Sequence, residues 1–493
     1  MPNLLHDAFF APQADRDTPF LRDADGGSLS HAAFHARANQ IANVLVEAGL
    51  APGDRLAVQV EKSAENLALY AAAVRAGVVY LPLNTAYTGE ELAYFVRDSG
   101  AGLLVCDPAR EEALSALAPR TLTLDADGRG TLADRADAAS DAFTPVDRAE
   151  DDLAGLLYTS GTTGRSKGAM MSHRNLVSNA QTLAELWRFT DDDTLLHALP
   201  IYHTHGLFVA TNVTLAAGGS MVLLPKFDAD QLVRLMPRAT ALMGVPTFYT
   251  RLLDTPGFDR ASCANMRLFI SGSAPLLAET HRRFEDRTGH RILERYGMTE
   301  TNMNTSNPYD GERRAGTVGF PLPGVELRIM EGEAPVADGE IGGIEVRGPN
   351  VFQGYWQMPD KTAEDLRPDG WFRTGDLGTR DADGYVTIVG RGKDLVITGG
   401  LNVYPKEVED VLDAQPGVLE SAVIGVPDPD MGEAVVAVLV PEAGATPDLD
   451  AIAKVLHGAL ARFKHPKRFE LVEALPRNTM GKVQKTELRA RFG

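Results

Sequence analysis

Apolar runs and helical periods alternate along the first hundred residues of the chain. Residues 30–49 place apolar side chains on one helical face, and Gly49 ends the segment. Thr88 and Glu91 have the spacing of a capping box, which predicts the start of another helix. Short apolar runs predict buried strands at residues 56–60, 78–81 and 103–106. This alternation predicts an α/β fold with largely parallel sheets.

Residues 195–300 repeat the alternation, and several of their predicted strands run directly into polar loops that contain glycine. These loops begin near Pro200, Gly244, Ser271 and Arg295. In open α/β sheets, ligands bind beyond the carboxyl ends of the strands. We therefore expect the loops to meet at one edge of a sheet and to form a binding site there.

The pattern changes at about residue 317 to short strands and Gly/Asp turns, which continue to about residue 390. A compact charged turn at residues 390–394 indicates a domain boundary, and the segment beyond it predicts a small α+β domain. We predict a large N-terminal domain of stacked α/β sheets plus a β-rich segment over residues 1–391, and a small C-terminal domain over residues 392–493.

Composition and charge exclude several classes of protein. Of the 493 residues, 44% are hydrophobic and 23% are charged, and the net charge is -19. This charge argues against a nucleic-acid partner and against anionic membranes, so an anionic substrate would need a local cluster of cations. Two cysteines suit a reducing compartment, and no signal peptide or long apolar run is visible. We therefore expect a cytoplasmic protein, either a monomer or a homodimer.

The stretch YTSGTTGRSKG at residues 158–168 follows an apolar run and precedes a predicted helix from about Ser172. Its glycines let the backbone approach a ligand closely, its backbone N–H groups can form an anion nest, and its hydroxyls and Lys167 add donors. It is not a Walker A loop, because two residues separate Gly164 from Lys167. The loop therefore predicts a phosphate site, with a flexible surface loop as the alternative.

Five motifs together resemble the adenylate-forming superfamily, which includes acyl-CoA synthetases, adenylation domains of peptide synthetases and beetle luciferases. They occupy residues 158–168, 296–300, 374–376, 390–394 and 476–485. Residues 294–307 and 313–319 are further similar to malonyl-CoA synthetases, although fewer positions carry that match. The resemblance implies that a carboxylate attacks the α-phosphorus of ATP to form an acyl-adenylate, and that the thiol of coenzyme A then displaces AMP.

The resemblance implies which residues bind ATP and Mg2+. The predicted contacts of the β- and γ-phosphates are Thr159, Ser160, Gly161, Thr162, Thr163, Gly164 and Lys167. The predicted contacts of adenine, ribose and the α-phosphate are Ser273, Ala274, Tyr296, Asp376, Arg391 and Thr299. Glu300 would hold Mg2+, a hard cation that prefers carboxylate and phosphate oxygens. The alternative for these residues is an ordinary role in turns, packing or the solvated surface.

The resemblance also implies a moving C-terminal domain. Lys482 corresponds to the adenylation lysine, which would bridge the attacking carboxylate and the α-phosphate. Lys393 lies at the hinge position, where rotation would withdraw Lys482 and present Gly399, Gly400 and Leu401 to coenzyme A. Acylation of Lys482 would remove its charge, so enzymes that acylate lysine are candidate regulatory partners.

The resemblance places the acyl group of the substrate beside His203, Ser271 and Met298. A second carboxylate on the acid would cost several kcal/mol to bury without a partner, and the fork of an arginine matches a carboxylate best. We predict that Arg251 supplies this cation, because it follows a segment that borders the acyl pocket in the family. The competing arginines are Arg282, Arg283 and Arg295.

The prediction is therefore an ATP- and Mg2+-dependent malonate–CoA ligase. Alternatives are a ligase for methylmalonate or another short acid, a stand-alone adenylation enzyme that loads a carrier protein, and a non-catalytic binding protein. His203 and His205 do not predict a metal site, since no third ligand lies at a recognisable spacing.

Overall fold

A computed structural model describes residues 3–159, 166–399, 401–478 and 481–493. Numbered along the chain, its strands are β1 (Pro19–Arg22), β2 (Ser28–Ser30), β3 (Arg55–Gln59), β4 (Val79–Pro82), β5 (Leu103–Cys106), β6 (Thr121–Thr123), β7 (Leu153–Thr159), β8 (Lys167–Ser172), β9 (Thr194–His197), β10 (Ser220–Leu223), β11 (Ala241–Gly244), β12 (Leu268–Ser271), β13 (Leu293–Met298), β14 (Asn302–Ser306), β15 (Phe320–Pro321), β16 (Glu326–Glu331), β17 (Ala334–Pro335), β18 (Gly342–Arg347), β19 (Phe372–Arg380), β20 (Val386–Arg391), β21 (Val396–Thr398), β22 (Leu401–Val403), β23 (Val418–Asp428), β24 (Gly432–Pro441) and β25 (Arg468–Leu471).

The α-helices pack on the faces of these strands, as the alternation of periods predicts. They are α1 (Leu4–Phe9), α2 (His31–Glu47), α3 (Ala64–Arg75), α4 (Gly89–Ser99), α5 (Glu111–Leu114), α6 (Thr131–Ala138), α7 (His173–Leu186), α8 (Asn212–Ala217), α9 (Ala229–Leu235), α10 (Pro246–Leu253), α11 (Ala278–Thr288), α12 (Pro359–Asp365), α13 (Pro405–Asp413), α14 (Leu449–Ala459) and α15 (Lys485–Phe492). The predicted capping box of Thr88 and Glu91 begins α4. A π-helix (His205–Thr211) precedes α8.

A nine-stranded sheet carries most of the loops that were expected to meet. Its strand order is β15-β14-β13-β12-β11-β9-β10-β1-β2. The pairs from β1 to β13 along this order are parallel, whereas β2 at one end and β14 and β15 at the other pair antiparallel. Because parallel strands end at the same edge, the loops after β9, β11, β12 and β13 meet there.

A six-stranded sheet in the order β6-β5-β3-β4-β7-β8 carries the phosphate-loop motif. The pairs from β6 to β7 are parallel, whereas β8 runs antiparallel to β7. The motif therefore joins two strands of one hairpin. Helix α7 follows β8 directly, because Ser172 caps it in a capping box with Asn175. The α/β fold with largely parallel sheets is confirmed.

The rest of the chain forms two further sheets. Strands β16 to β20 form an antiparallel sheet in the order β17-β16-β18-β19-β20, and β21 to β25 form the last sheet. Two clusters of buried apolar side chains belong entirely to residues from Val396 onward, and the large core belongs to residues before it. These features support a domain boundary at residues 391–392, which stays a prediction.

Two ion pairs flank the segment between the last two sheets. Arg391 Nε lies 3.3 Å from Asp376 Oδ1 in the neighbouring strand β19. Arg489 Nη2 lies 2.9 Å from Asp394 Oδ1 and thereby ties Asp394 to the C-terminal helix α15. Residues 392–393 thus lie between two differently anchored positions. None of the helices in the described ranges is long and apolar enough to cross a membrane.

Candidate active site

The acyl side of the site is built from the carboxyl ends of β9, β12 and β13. Ser271 ends β12, Met298 ends β13, and His203 follows β9. Ser273 has a φ of 71°, a strained conformation for a residue with a side chain. Its hydroxyl lies 3.2 Å from His205 Nδ1, which links the loop after β12 to the start of the π-helix. The expected convergence of these loops is thus observed.

Arg295 on β13 is a buried cation within this group of loops. It is 3% exposed, and none of its three guanidinium nitrogens has a hydrogen-bond partner among the described residues. An ideal Cβ added to Gly272 would lie 2.3 Å from Arg295 Nη1, so the glycine makes the space for the guanidinium. Burial lowers the pKa of Arg295 to about 9. The buried hydroxyl of Ser271 is also without a partner in the described part of the chain.

A buried guanidinium without an acceptor is costly, because an unpaired charge in a protein interior loses several kcal/mol of solvation. Ser271 is paired in register with Glu294, the residue that precedes Arg295, so the hydroxyl and the guanidinium lie on adjacent strands. His205 Nε2, which is buried and unpartnered among the described residues, belongs to the same region. Because successive strand residues face opposite sides of a sheet, Ser271 and Glu294 face one side and Arg295, beside Gly272, faces the other, so Arg295 is the donor that can receive a small anion here.

Lys482 comes from the C-terminal segment, and it interacts electrostatically with charged residues of the site. Burial and Arg391 lower the pKa of Lys482, while Asp376 and Glu300 act in the opposite direction, and the resulting value is about 8. Burial, together with Lys482 and Arg295, lowers the pKa of His203 to about 3, so this histidine is neutral at physiological pH.

A short loop carries Lys482 into the site. Lys482 N–H donates to Asn478 Oδ1 at 3.0 Å, and Asn478 N–H donates to Lys482 O at the same distance. Gly481 adopts a φ of 74°, which favours glycine at this turn. An ideal Cβ on Gly481 would lie 3.5 Å from Thr247 Oγ1, so the loop packs against the start of α10 in the N-terminal part.

The predicted adenine and ribose contacts come from two different sheets. The Tyr296 hydroxyl on β13 donates to Asp376 Oδ2 at 2.5 Å, and Asp376 on β19 is 6% exposed. Arg391 on β20 pairs with the other oxygen of the same carboxylate. Burial raises the pKa of Tyr296 well above its usual range, so the hydroxyl keeps its proton. The carboxylate is therefore held in place by a donor on each oxygen.

Glu300 and Lys167 are connected through a residue that sequence reasoning missed. The Tyr355 hydroxyl donates to Glu300 Oε1 at 3.2 Å, and Lys167 Nζ lies 4.0 Å above the centre of the Tyr355 ring. Lys167 Nζ also lies 3.7 Å from Asp365 Oδ2. Burial raises the pKa of Glu300, while Lys167 and Tyr355 favour its charged form. No spacing rule joins Tyr355 to residues so far away in the chain.

The remaining predicted residues have the following positions. Thr159 is half-buried at the end of β7, with its hydroxyl 3.4 Å from Lys167 O, and Thr299 and Ala274 are half-buried beside the site. Gly399 has a φ of 57°, and Leu401 is 48% exposed. Some predicted residues lie outside the described ranges, namely Ser160, Gly161, Thr162, Thr163, Gly164 and Gly400. The individual roles of all these residues stay predictions.

The prediction that Arg251 binds the second carboxylate of the acid needs correction, because a buried carboxylate requires a buried cation. Arg251 is exposed on α10, where its guanidinium carbon lies 5.8 Å from the centre of the Phe227 ring. Arg282 and Arg283 are exposed on α11. Arg295 is the buried member of the set, and the hydropathy pattern could not reveal this, since its burial depends on where β13 lies in the sheet.

The family models provide an independent comparison. The model described as "AMP-binding enzyme" matches residues 10–356, and the model described as "AMP-binding enzyme C-terminal domain" matches residues 407–482. The chain belongs to the AMP-binding enzyme family. The predicted resemblance to adenylate-forming enzymes is thereby confirmed.

Relatives of this AMP-binding enzyme differ in the acid that their names state. A feruloyl-CoA synthase from an Amycolatopsis species is 39% identical over 95% of both chains. A malonate–CoA ligase from Arabidopsis thaliana is 36% identical over 90% of this chain and 78% of its own length. The identities to these two relatives are therefore too close to each other to decide whether the substrate is an aromatic acid or a short dicarboxylate.

The similarity to a solved structure is greater. ATP-bound MatB from Rhodopseudomonas palustris is 59% identical, with a TM-score of 0.97 over 99% of this chain and 98% of that one. The apo form of the same protein gives a TM-score of 0.88 over 100% of this chain and 99% of that one. The arrangement of the AMP-binding enzyme described here is thus nearer to the ATP-bound form, in agreement with the position of Lys482 inside the site.

Metal ligation by side chains alone finds no support in the described ranges. They contain no group of three or more His, Cys, Asp or Glu residues that could hold a metal ion. His205 instead contacts Ser273, and burial lowers its pKa well below the usual range.

Proposed function

We propose that this AMP-binding enzyme is a malonate–CoA ligase that couples malonate, ATP and coenzyme A through a malonyl-adenylate. The observation that carries the proposal is Arg295, a buried guanidinium with all of its nitrogens free of partners among the described residues. A malonate bound with one carboxylate at the reaction centre would place its second carboxylate against this cation. The 59% identity to MatB and the malonate–CoA ligase among the relatives favour the same acid.

The proposed pocket has the chemistry that a distal carboxylate requires. Arg295 can donate two parallel hydrogen bonds to a carboxylate, because all of its guanidinium nitrogens are unpartnered among the described residues. Neutral His203 borders the site without adding a charge. An aliphatic acid would leave the guanidinium buried and unpaired, so the pocket should discriminate by several kcal/mol in favour of an anionic substituent.

In the proposed first step, an oxygen of the malonate carboxylate forms a bond to the α-phosphorus of ATP. The bond from that phosphorus to the bridging oxygen breaks, and pyrophosphate leaves with the electron pair. Lys482 would stabilise the charge on the carboxylate and the α-phosphate, because its ammonium lies near Asp376 and Glu300 in this arrangement. Tyr296 and Asp376 would hold the nucleoside so that the reacting oxygen is aligned.

Glu300 and the substrate phosphates fit the ligand preference of Mg2+. This cation binds through one or two carboxylates and phosphate oxygens, and Glu300 is a buried carboxylate 3.2 Å from the Tyr355 hydroxyl. When bound, Mg2+ would neutralise part of the charge on the phosphates. Lys167 would interact with the same phosphates from the end of the phosphate loop, after exchanging its contact with Asp365 for them.

In the proposed second step, the sulfur of coenzyme A forms a bond to the acyl carbon of the adenylate, the bond from that carbon to the phosphate oxygen breaks, AMP leaves with the electron pair, and the thiol proton passes to solvent. Lys482 has no further part in this step, so the C-terminal domain can turn away at residues 392–393, which lie between the two ion pairs described above. Gly399 and Leu401 would then approach coenzyme A. The exposure of Leu401 in the present arrangement agrees with a surface that is used in the other one.

The direct test is a panel of acids with the purified protein. Release of pyrophosphate would be measured with ATP, Mg2+ and each of malonate, methylmalonate, 3-methylbutanoate and ferulate, and mass spectrometry would identify the thioester formed with coenzyme A. We expect malonate to have the highest kcat/KM, at least tenfold above 3-methylbutanoate. A higher kcat/KM for ferulate would support the activity named for the Amycolatopsis relative instead.

A further inference from the structure

A second buried cation, Lys62, lies outside the chemistry described so far. It is 8% exposed in the segment between β3 and α3. Its Nζ lies 2.6 Å from His197 O, 2.9 Å from Leu199 O and 2.8 Å from His197 Nδ1. In the described part of the chain, Lys62 forms no ion pair with a carboxylate. Its partners are instead the end of β9 and the first residues of the loop that leads to His203.

The geometry at Lys62 matches an ammonium group. Two of its partners are backbone carbonyls, which only accept hydrogen bonds, so three contacts use three N–H bonds if His197 Nδ1 also accepts. Burial lowers the pKa of Lys62 well below its usual range. The three acceptors act in the opposite direction, because each favours the charged form. A lysine held in this way fixes the backbone of residues 197–199 at two points and the His197 ring at a third.

His197 continues the connection toward the site. Its Nε2 lies 2.9 Å from Gly206 O and 3.1 Å from Thr211 Oγ1. Because a carbonyl can only accept, Nε2 carries the proton, and Nδ1 is left as the acceptor for Lys62. Gly206 and Thr211 belong to the π-helix, and the Thr211 hydroxyl also donates to Gly206 O at 2.9 Å. One imidazole therefore joins the lysine to both ends of the π-helix.

The loop between His197 and the π-helix has little freedom to shift. An ideal Cβ on Gly206 would lie 2.0 Å from Pro200 O, so the two backbones are in close contact. His205, the first residue of the π-helix, contacts Ser273 on the loop after β12. π-helices are rare and are frequent at functional sites. A displacement of the π-helix would therefore move His203 and His205 relative to the acyl side.

We propose that Lys62 and His197 are positioning residues, which hold the loop of residues 198–205 and the π-helix in the geometry that the acyl site requires. Neither residue is assigned a contact with substrate. Their effect passes through the backbone of the loop to His203 and His205. The proposal rests on the proposed function only in naming malonate as the acid, since the positioning itself is a property of the protein without ligand.

The first test is hydrogen exchange on the full chain without substrate, which does not depend on the identity of the acid. In Lys62→Met, we expect exchange of the backbone amides of residues 198–211 to accelerate at least tenfold, while exchange in β23 and β24 remains unchanged. Lys454→Met, which removes an exposed lysine on α14, is the matched control and should leave both regions unchanged. Unaltered exchange over residues 198–211 in Lys62→Met would overturn the proposal.

Two substitutions of His197 distinguish its contact with Lys62 through Nδ1 from its contact with Gly206 O through Nε2. Glutamine can place its amide N–H near the position of Nε2 and keep the bond to Gly206 O, whereas asparagine reaches only the position of Nδ1. We therefore expect His197→Asn to accelerate exchange of residues 205–211 at least threefold more than His197→Gln. Equal effects of the two substitutions would overturn the role of the Gly206 contact, and this comparison remains decisive if Lys62→Met does not fold.

Kinetics then test whether the positioning matters to the acid. In Lys62→Met, we expect the KM for malonate to rise about tenfold while the KM for ATP stays within twofold of the parent. An equal rise in both constants would indicate a general loss of structure and would overturn the proposal. If malonate is not a substrate of the parent protein, the proposed function fails, and the hydrogen exchange still decides whether Lys62 and His197 position the loop.

Discussion

Replacement of Arg295 by methionine separates the cost of a buried cation from its use in binding. Methionine has a similar length and no charge, so the substitution removes the guanidinium and leaves a comparable apolar volume. Burial lowers the pKa of Arg295 well below its usual value, to about 9. Since one pKa unit corresponds to about 1.4 kcal/mol, the unliganded protein bears on the order of 5 kcal/mol to keep this charge buried. Removing it should leave the unliganded protein as stable as the parent or more so.

The same substitution should weaken the use of malonate. Truncating one partner of a buried charge pair costs roughly 2 to 5 kcal/mol, which corresponds to a fall of roughly 30-fold to several thousand-fold in kcat/KM. In 3-methylbutanoate, an isopropyl group replaces the distal carboxylate, so Arg295→Met should use this acid at least as well as the parent does. The KM for ATP should change little, because Arg295 lies on the acyl side.

The assay measures pyrophosphate release with both acids and the thermal midpoint without ligand. Arg251→Ala is the matched control, since it removes an exposed arginine. It should change neither the kcat/KM for malonate relative to 3-methylbutanoate nor the thermal midpoint. The reasoning would be refuted if Arg295→Met lowered kcat/KM equally for the two acids, or if it lowered the thermal midpoint while malonate was still used normally. The first result would assign Arg295 to the fold or to the nucleotide, and the second would assign it to stability alone.

Three further predictions concern ionisable groups. Burial lowers the pKa of Lys482 to about 8, so adenylation should fall as the pH rises through about 8 and the ammonium is lost. Lys482→Arg should remove this dependence, and a pH profile of Lys482→Arg equal to that of the parent would contradict the prediction. Tyr355→Phe keeps the ring but loses the hydrogen bond to Glu300, so the Mg2+ concentration for half-maximal activity should rise several-fold, and an unchanged Mg2+ dependence would count against this role. Burial lowers the pKa of His35 to about 3 and of His31 to about 4, so the unfolded chain binds more protons below about pH 6.5. The free energy of unfolding should then fall as the pH drops below 6.5, by up to about 1.4 kcal/mol per pH unit for each histidine, and equal denaturation midpoints at pH 7.5 and 5.0 would disprove it.

Local patterns predicted the elements of the fold because each element has its own local signals. The apolar run at residues 103–106 is β5, and the capping box of Thr88 and Glu91 opens α4. The hairpin partner β8 was missed, since residues 167–172 mix lysine, glycine, methionine and serine without a strict alternation. The π-helix was missed too, because its hydrogen bonds have no distinct sequence period.

The candidate site was predictable where a short motif carries the chemistry. Tyr296, Glu300, Asp376 and Lys482 come together from distant parts of the chain, as their motifs implied. The arginine of the acyl side was not predictable in this way. The sequence does not distinguish an arginine inside a strand from one on a helix as the cation of the acyl side. Only the position of β13 within the sheet shows which arginine is buried.

The order of strands in the nine-stranded sheet has a consequence for self-association. Its outermost strands are β2 (Ser28–Ser30) at one end and β15 (Phe320–Pro321) at the other. An outer strand can recruit a strand from a second chain only if it offers a row of free backbone groups, and short strands or a proline prevent this. One of these two strands has only three residues, and the other has two and includes Pro321. The two ends of this sheet are therefore poor templates for a strand from a second copy of the chain, and a dimer would have to form through another part of the surface.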